Sequence, residues 1–426
     1  MLVYFFVQKI NLFFMQENSI DGGIYKLIEQ YYGKGVGIIK ENNIRSLSQE
    51  RVVRLFMELV QVDSVSREER EMVDRLKGIF EKLGFTPRED GVASSINGNA
   101  GNLIVDIPGR EDLPCLLFCA HLDRVQPGRG INPIIKNGYV ISSGDTVLAG
   151  DDLIGVAAII EALRLIKEKG MEHCPVKLIF TVAEEVGLLG AKGLAREEIE
   201  AVDYGFVLDV DGDIGTVVYK APSQIKFNAV IKGKAAHAGI NPGEGVDAIR
   251  ISSRAISRMK LGQVNEETTA NIGVIKGGRA INIVPDMVEL QGEVRSHSDK
   301  ALSEQKEHIR QVIQEAALKY GGKVEYRVER LYNGFELFPE SDIINLARMS
   351  LEDTGKEMEL MISGAGSDAN IFNEKGLQTL NLGVGMEKVH SPEERVALEN
   401  LVELPGLIIR IIQNVEKIPE KSGKYV

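Results

Sequence analysis

Cysteine is scarce in this chain: Cys115, Cys119 and Cys174 are its only three among 426 residues. Three thiols build no disulfide framework and suggest a reducing compartment. Two of them sit in the apolar run CLLFCA, where an unpaired thiol packs as a small hydrophobe. Basic charge is also in short supply. Against 62 Asp and Glu there are 50 Lys and Arg, leaving a formal net charge of −12. That balance argues against nucleic acid or an anionic membrane as partner. Uninterrupted membrane-length apolar runs are missing too. The stretch MLVYFFVQKINLFFM is broken by Gln8, Lys9 and Asn11, well short of the ~20 residues a span needs. It lacks a basic leader and an obvious small-residue cleavage site, so it does not read as a secretory signal. An appended arm, a docked helix and a start at Met15 all fit it. The protein is expected in the cytoplasm. No internal repeat and no low-complexity tract occurs.

What is present is a soluble globular composition, 44% hydrophobic and 26% charged, on a chain too long for one ordinary core. Apolar residues at Val52, Val53, Leu55, Phe56, Leu59 and Val60 predict a helix over 48–62, and a second follows over 68–83. Strands are expected at 102–107, 115–120, 176–183 and 204–208, with a buried helix from Asp151 to the stop at Gly170. This alternation indicates an α/β layer with a largely parallel sheet. Near Tyr219 the character changes. Strand 224–232, helix 245–260, strands 270–276 and 286–294, helix 300–319 and strand 323–330 follow the ferredoxin-like order β-α-β-β-α-β. Helices 341–354 and 367–375 and strand 377–383 then resume the first pattern. Ser391-Pro392-Glu393-Glu394 looks like the capped start of a final helix over 392–415. The expected organisation is an extension over 1–44, a catalytic domain in two parts, 45–218 and 334–426, and an inserted α+β domain over 219–333.

The chemistry gathers where apolar runs end. His121-Leu122-Asp123, Asp151-Asp152, Glu184-Glu185, Asp209 and His390 each follow one, and ligands bind at the carboxyl ends of strands in open α/β sheets. Two imidazoles and several carboxylates in one crevice suit a pair of divalent ions, most naturally zinc, which activate water for hydrolysis. Asp123, two residues beyond His121, suits fixing a histidine tautomer. Glu185 suits a ligand role, leaving Glu184 free to take a proton. Asp211 and Asp213 rival Asp209, but Asp209 directly follows the apolar run. An isolated Asp pair at 151–152 would as readily cap a helix.

Taken together, the motifs AHLDRV, AGDDLIGVAA, TVAEEVGLLGAKGL, VLDVDG and VHSPEER resemble the co-catalytic zinc peptidase family that includes peptidase T, carboxypeptidase G, aminoacylase and succinyl-diaminopimelate desuccinylase. AHAGINPGEGVDAI and NIGVIKGGRAINIVPDMVELQGEVRS resemble the peptidase T-like branch in particular. The resemblance implies a three-layer α/β catalytic domain and an inserted domain that pairs subunits, hence a homodimer. It implies two Zn2+ per subunit, with Co2+ or Mn2+ as substitutes. His121, Asp151 and Asp209 would hold one ion, and Asp151, Glu185 and His390 the other. Asp123 would support His121, and Glu184 would be the general base. His237, Asn282 and Arg295 match substrate-contact positions, His237 reaching a neighbouring subunit's site. His173, His297 and His308 match nothing and are expected at the surface.

The branch also departs from its pattern here. Gly364, in Ile362-Ser363-Gly364-Ala365-Gly366-Ser367-Asp368, stands where peptidase T carries an arginine for a peptide carboxylate. A glycine makes no such clamp. The activity implied is a metal-dependent exopeptidase acting on short peptides through a metal-bridged water. The alternatives are a zinc-dependent deacylase of N-acyl amino acids and a catalytically silent binding module.

Overall fold

The computed structural model describes residues 42–418. The apolar N-terminal stretch and nearly all of the expected 1–44 extension lie outside them. Helix α1 (Asn42–Val60) leads into α2 (Arg70–Lys82), whose Met72, Val73, Leu76 and Phe80 recur at helical spacing and are buried. Then follow β1 (Leu103–Ile107), β2 (Leu116–His121), α3 (Gly150–Lys169), β3 (Val176–Thr181), β4 (Tyr204–Asp211) and β5 (Thr216–Ala221).

A second sheet begins at β6 (Ser223–Lys232) and continues through α4 (Ala248–Ile256), β7 (Thr268–Gly277), β8 (Met287–Ser296), α5 (Asp299–Tyr320) and β9 (Lys323–Tyr332). The chain returns to the first sheet with α6 (Asp342–Glu352), α7 (Asp368–Glu374), β10 (Thr379–Glu387), β11 (Arg395–Ala397) and α8 (Leu398–Asn414).

The centre of the large sheet runs β1-β3-β2-β4-β10, parallel from β3 to β10 with β1 antiparallel at its side. Strand β2 explains why its sequence is an unbroken apolar run. Leu116, Phe118 and Ala120 enter the core beneath α1, α2, α3, α6 and α8, while Leu117 and Cys119 enter a second core with Phe372 of α7. A strand covered on both faces has no polar side to show. The result is a three-layer α/β/α body. Among the described residues no helix is long and apolar enough to cross a membrane.

The small sheet is antiparallel in the order β7-β8-β6-β9, the ferredoxin-like arrangement, with a short strand at Gly262–Asn265 beyond β7. Ile225, Phe227, Ala229 and Ile231 alternate along β6 into one core with Ile251 of α4 and Ile309 and Ile313 of α5.

Three differences from the sequence expectations bear on the site. The hairpin Pro133–Lys136/Tyr139–Ser142, β5 and the strand Glu359–Ile362 come without a sequence expectation. Tyr219, where the change of character was expected, lies inside β5, which pairs in the large sheet. Most important, no helix begins at Pro392. The Ser391 hydroxyl accepts the Glu393 N–H in a turn, β11 then pairs with β10 and with Tyr139–Ser142, and the helix starts only at Leu398. Cap-like residues make good turns as well, and here the β-pairing decides.

Candidate metal centre

His121 is the last residue of β2, beside Thr181 of β3, so its imidazole stands at the carboxyl edge of the parallel strands. Its Nε2 lies 2.9 Å from Asp151 Oδ1 and 3.8 Å from Asp209 Oδ1. The other oxygen of Asp151, Oδ2, is 3.1 Å from His390 Nε2, which in turn is 3.0 Å from Glu185 Oε1. One carboxylate thus stands between two imidazoles. Asp209 flanks one side and Glu185 the other. The structure brings together all five residues expected to hold metal.

Each arrives by a different local device. Asp151 and Asp152 fall within the first turn of α3 but have non-helical backbone angles, and the peptide bond between them is cis. The N-cap residue Ala149 makes no side-chain cap, and Asp152 accepts the His121 N–H rather than one of the helix, which sets aside helix capping as the reason for the acidic pair. Asp209 lies two residues inside the end of β4 rather than at its terminus, and Asn381 of β10 bonds its main chain in both directions. Asp211, its rival, is exposed. Glu184 and Glu185 follow β3 after Ala183, which adopts a left-handed φ of 52°. His390, at φ 61°, follows β10 on the half-exposed rim.

Asp123 supports His121 through its main chain. Its carbonyl oxygen is 3.0 Å from the ring Nδ1, whereas its carboxylate is 3.7 Å away. The fully buried carboxylate instead grips the turn carrying the two glutamates. Oδ1 accepts the Glu184 N–H at 2.8 Å, and Oδ2 accepts the Glu185 N–H at 3.2 Å and the Ser66 hydroxyl at 2.6 Å.

The electrostatics show what the cluster requires. Burial drives the pKa values of Glu184, Asp209 and Asp152 well above the carboxylate range, with the charge of Asp209 or Asp151 as the next cause. Burial alone would also raise Asp151, but His121 and His390 hold it well below its ordinary value. Burial pulls His121 down, yet the hydrogen bond and charge of Asp151 carry it well above the imidazole range. Hydrogen bonds to Asp151 and Glu185 lift His390 to about 10. Two imidazoles cannot neutralise five clustered carboxylates. Divalent cations would, and they would keep every ligand in its ionised, donating form. The donor atoms already lie close enough: one from each of His121, Asp151 and Glu185 fall within 4.8 Å of one another, as do those of His121, Asp152 and Asp209. The donor set fits a dinuclear site of borderline metal ions.

The three expected substrate-contact residues lie elsewhere. His237 and Asn282 are exposed on adjoining segments, where the Ala238 N–H donates to the Asn282 carbonyl, and His237 Nδ1 accepts the N–H groups of Gly239 and Ile240. Arg295, half-buried on β8, contacts Glu293 and donates to the Gly364 carbonyl at 3.4 Å. The other three histidines are half-buried rather than on the surface. His173 and His297 each meet a main-chain carbonyl, and His308 accepts the Lys260 N–H.

Sequence reasoning gave no part in the site to three carboxylates beside it. Asp152 Oδ2 accepts the His121 N–H. Glu69 accepts the N–H groups of Arg67 and Ala183. Glu394 accepts those of Leu148, Ala149 and Asp151. Only Asp152 carried a local signal, its adjacency to Asp151.

Comparison with known proteins agrees with this geometry. An uncharacterized protein of Bacillus subtilis (strain 168), YqjE, is 40% identical over 371 residues, covering 87% of this chain and 100% of the relative. The crystal structure of aminopeptidase PepT from Bacillus cereus ATCC 10987 superposes with a TM-score of 0.80 at 41% identity, covering 86% of this chain and 99% of that one. A tripeptidase structure from Staphylococcus aureus subsp. aureus Mu50 gives a TM-score of 0.83 at 41% identity, covering 87% and 99%. The model of peptidase family M20/M25/M40 matches residues 117–414, most of the chain, and the chain belongs to that family.

Proposed function

We propose that this chain is a cytoplasmic di-zinc exopeptidase of the peptidase T-like branch, cleaving short peptides from a free amino terminus. The observation that carries the reading is the Asp151 carboxylate, with one oxygen 2.9 Å from His121 and the other 3.1 Å from His390. His121, Asp151 and Asp209 would hold one ion, and Asp151, Glu185 and His390 the second. Zinc is the natural occupant, with Co2+ or Mn2+ as substitutes. When bound, the ions polarise the scissile carbonyl and acidify water.

Glu184 is the general base. It is buried beside the ligands and its main chain is fixed by Asp123. It takes a proton from the attacking water and hands it to the leaving amine. Arg295 orients the substrate near Gly364, in the stretch where the arginine of peptidase T is absent. His237 and Asn282 serve a neighbouring subunit's site in a homodimer. The exposed Ile240 and Ile281 beside them favour burial against a second copy. The catalytic parts run from 45 to the end of β5 and from 334 to 426, with the small-sheet domain inserted between them.

The test is a substrate panel on zinc- or cobalt-loaded protein, together with Glu184→Gln. Free di- and tripeptides should be cleaved and N-acylated amino acids spared. Glu184→Gln should keep both ions and lose about 10²–10⁴-fold in kcat. Cleavage of the acylated compounds instead would make the enzyme a deacylase. Unchanged turnover in the variant would remove Glu184 from the mechanism.

A further inference from the structure

We propose that Glu394 is a positioning residue of the metal centre, holding the turn that places Asp151 between the two ions. The inference rests on reading Asp151 and His390 as metal ligands. Glu394 is 1% exposed and lies four residues beyond His390. Its Oε2 accepts the N–H groups of Leu148 at 2.8 Å and Ala149 at 3.0 Å, and its Oε1 accepts that of Asp151 at 3.0 Å. Leu148 and Ala149 lead into α3 and Asp151 lies in its first turn, where the first N–H groups have no partner inside the helix. Ala149 sits in the left-handed region and no side chain of the helix's own N-cap supplies an acceptor. A residue from the far end of the chain supplies it instead.

Neighbouring residues are shaped around this contact. A Cβ added at Gly150 would come within 2.6 Å of Val396 Cγ2 and 3.1 Å of Glu394 Oε1. Glycine therefore lets the 148–151 turn close onto the carboxylate. The segment that delivers His390 to one side of Asp151 thus also anchors the Asp151 backbone, tying two ligands of the second ion to one loop.

A carboxylate offers only acceptors, and three donors converge here, so glutamine cannot substitute. The carboxamide orientation that keeps the most bonds leaves its oxygen on Leu148 and Ala149. Its NH2 then faces the N–H of Asp151, and the perturbation lands on the bridging ligand.

The experiment titrates metal-free protein with Zn2+ against a chromogenic chelator, for wild type, Glu394→Gln, Gly150→Ala and the exposed control Glu393→Gln. Wild type and the control should take two ions alike. Glu394→Gln and Gly150→Ala should each bind at least one ion about 10–100-fold more weakly. Two ions at affinities within about twofold of wild type in Glu394→Gln would overturn the proposal. A lower melting temperature of the metal-free variant with unchanged zinc affinities would overturn it equally, since it marks a purely structural role. Should Glu394→Gln fail to fold, Gly150→Ala is judged by the same criterion. A wild type that binds no zinc would instead refute the metal reading itself.

Discussion

Asp123→Asn separates two possible jobs for one aspartate. The native carboxylate, itself 0% exposed, accepts the N–H groups of Glu184 and Glu185 and the Ser66 hydroxyl. Asparagine can keep the Glu184 bond with its oxygen and let the Ser66 hydroxyl rotate to accept from its NH2. The Glu185 N–H is then left facing a donor. Losing one hydrogen bond to a charged acceptor and leaving a buried donor unpaired costs about 2–4 kcal/mol. Asp123→Ala abandons all three bonds and should cost on the order of 5 kcal/mol. Ser66→Ala removes one and should cost about 1 kcal/mol. The catalytic effect follows from the same contacts, because they fix the main chain of the base and its neighbour. A displacement of about 1 Å at the reacting group costs about 10²-fold, so kcat should fall by that order while KM changes little. Urea unfolding of the metal-free proteins gives the stabilities, and peptide hydrolysis under zinc saturation gives the kinetics. If the carboxylate acted chiefly on the imidazole 3.7 Å away, zinc affinity would drop and kcat at saturation would survive. That outcome, or a stability within about 0.5 kcal/mol of wild type, would refute the argument.

Other consequences are direct. His390→Ala should leave one zinc per chain after dialysis and Asp209→Ala the other, with Asp151→Ala losing both; metal analysis counts them. Zinc at about a thousandfold over its Kd should stabilise the fold by about 4 kcal/mol, visible as a rise in melting temperature that chelator reverses. Burial and the charge of Asp123 raise the Glu69 pKa from 4.5 to about 7. Its contribution to stability is therefore full below about pH 4.5 and is lost as pH rises through about 7. Metal-free wild type should lose up to roughly 3 kcal/mol relative to Glu69→Gln across that window, and parallel stability curves would disprove it. Arg295→Ala should raise KM for peptides with a free carboxylate by about tenfold and spare the matching amides, since one charged hydrogen-bonding partner is worth about that much; equal KM changes for both would remove Arg295 from carboxylate recognition.

What the sequence discloses of this site depends on how far apart the interacting groups lie along the chain. His121-Leu122-Asp123 and Glu184-Glu185 announce themselves because an apolar strand buried on both faces ends abruptly in titratable groups, a break with only a few physical explanations. The partners that hold those groups in place leave no such mark. Glu69 reaches Ala183 across 114 residues and Glu394 reaches Leu148 across 246. Each is an ordinary glutamate until the fold brings buried N–H groups to it. Glu394 shows how local logic misleads. Ser-Pro-Glu-Glu carries the residues of a helix start, and in isolation a first-turn acid is well placed there. In the folded chain β11 claims the following residues and three main-chain donors claim the carboxylate, together outweighing a cap worth about 1 kcal/mol. The acidic and imidazole groups that gather here could be read from the apolar runs before them, but supports such as Glu69 and Glu394 could not, because a support is defined by its partner and the partner is set by topology.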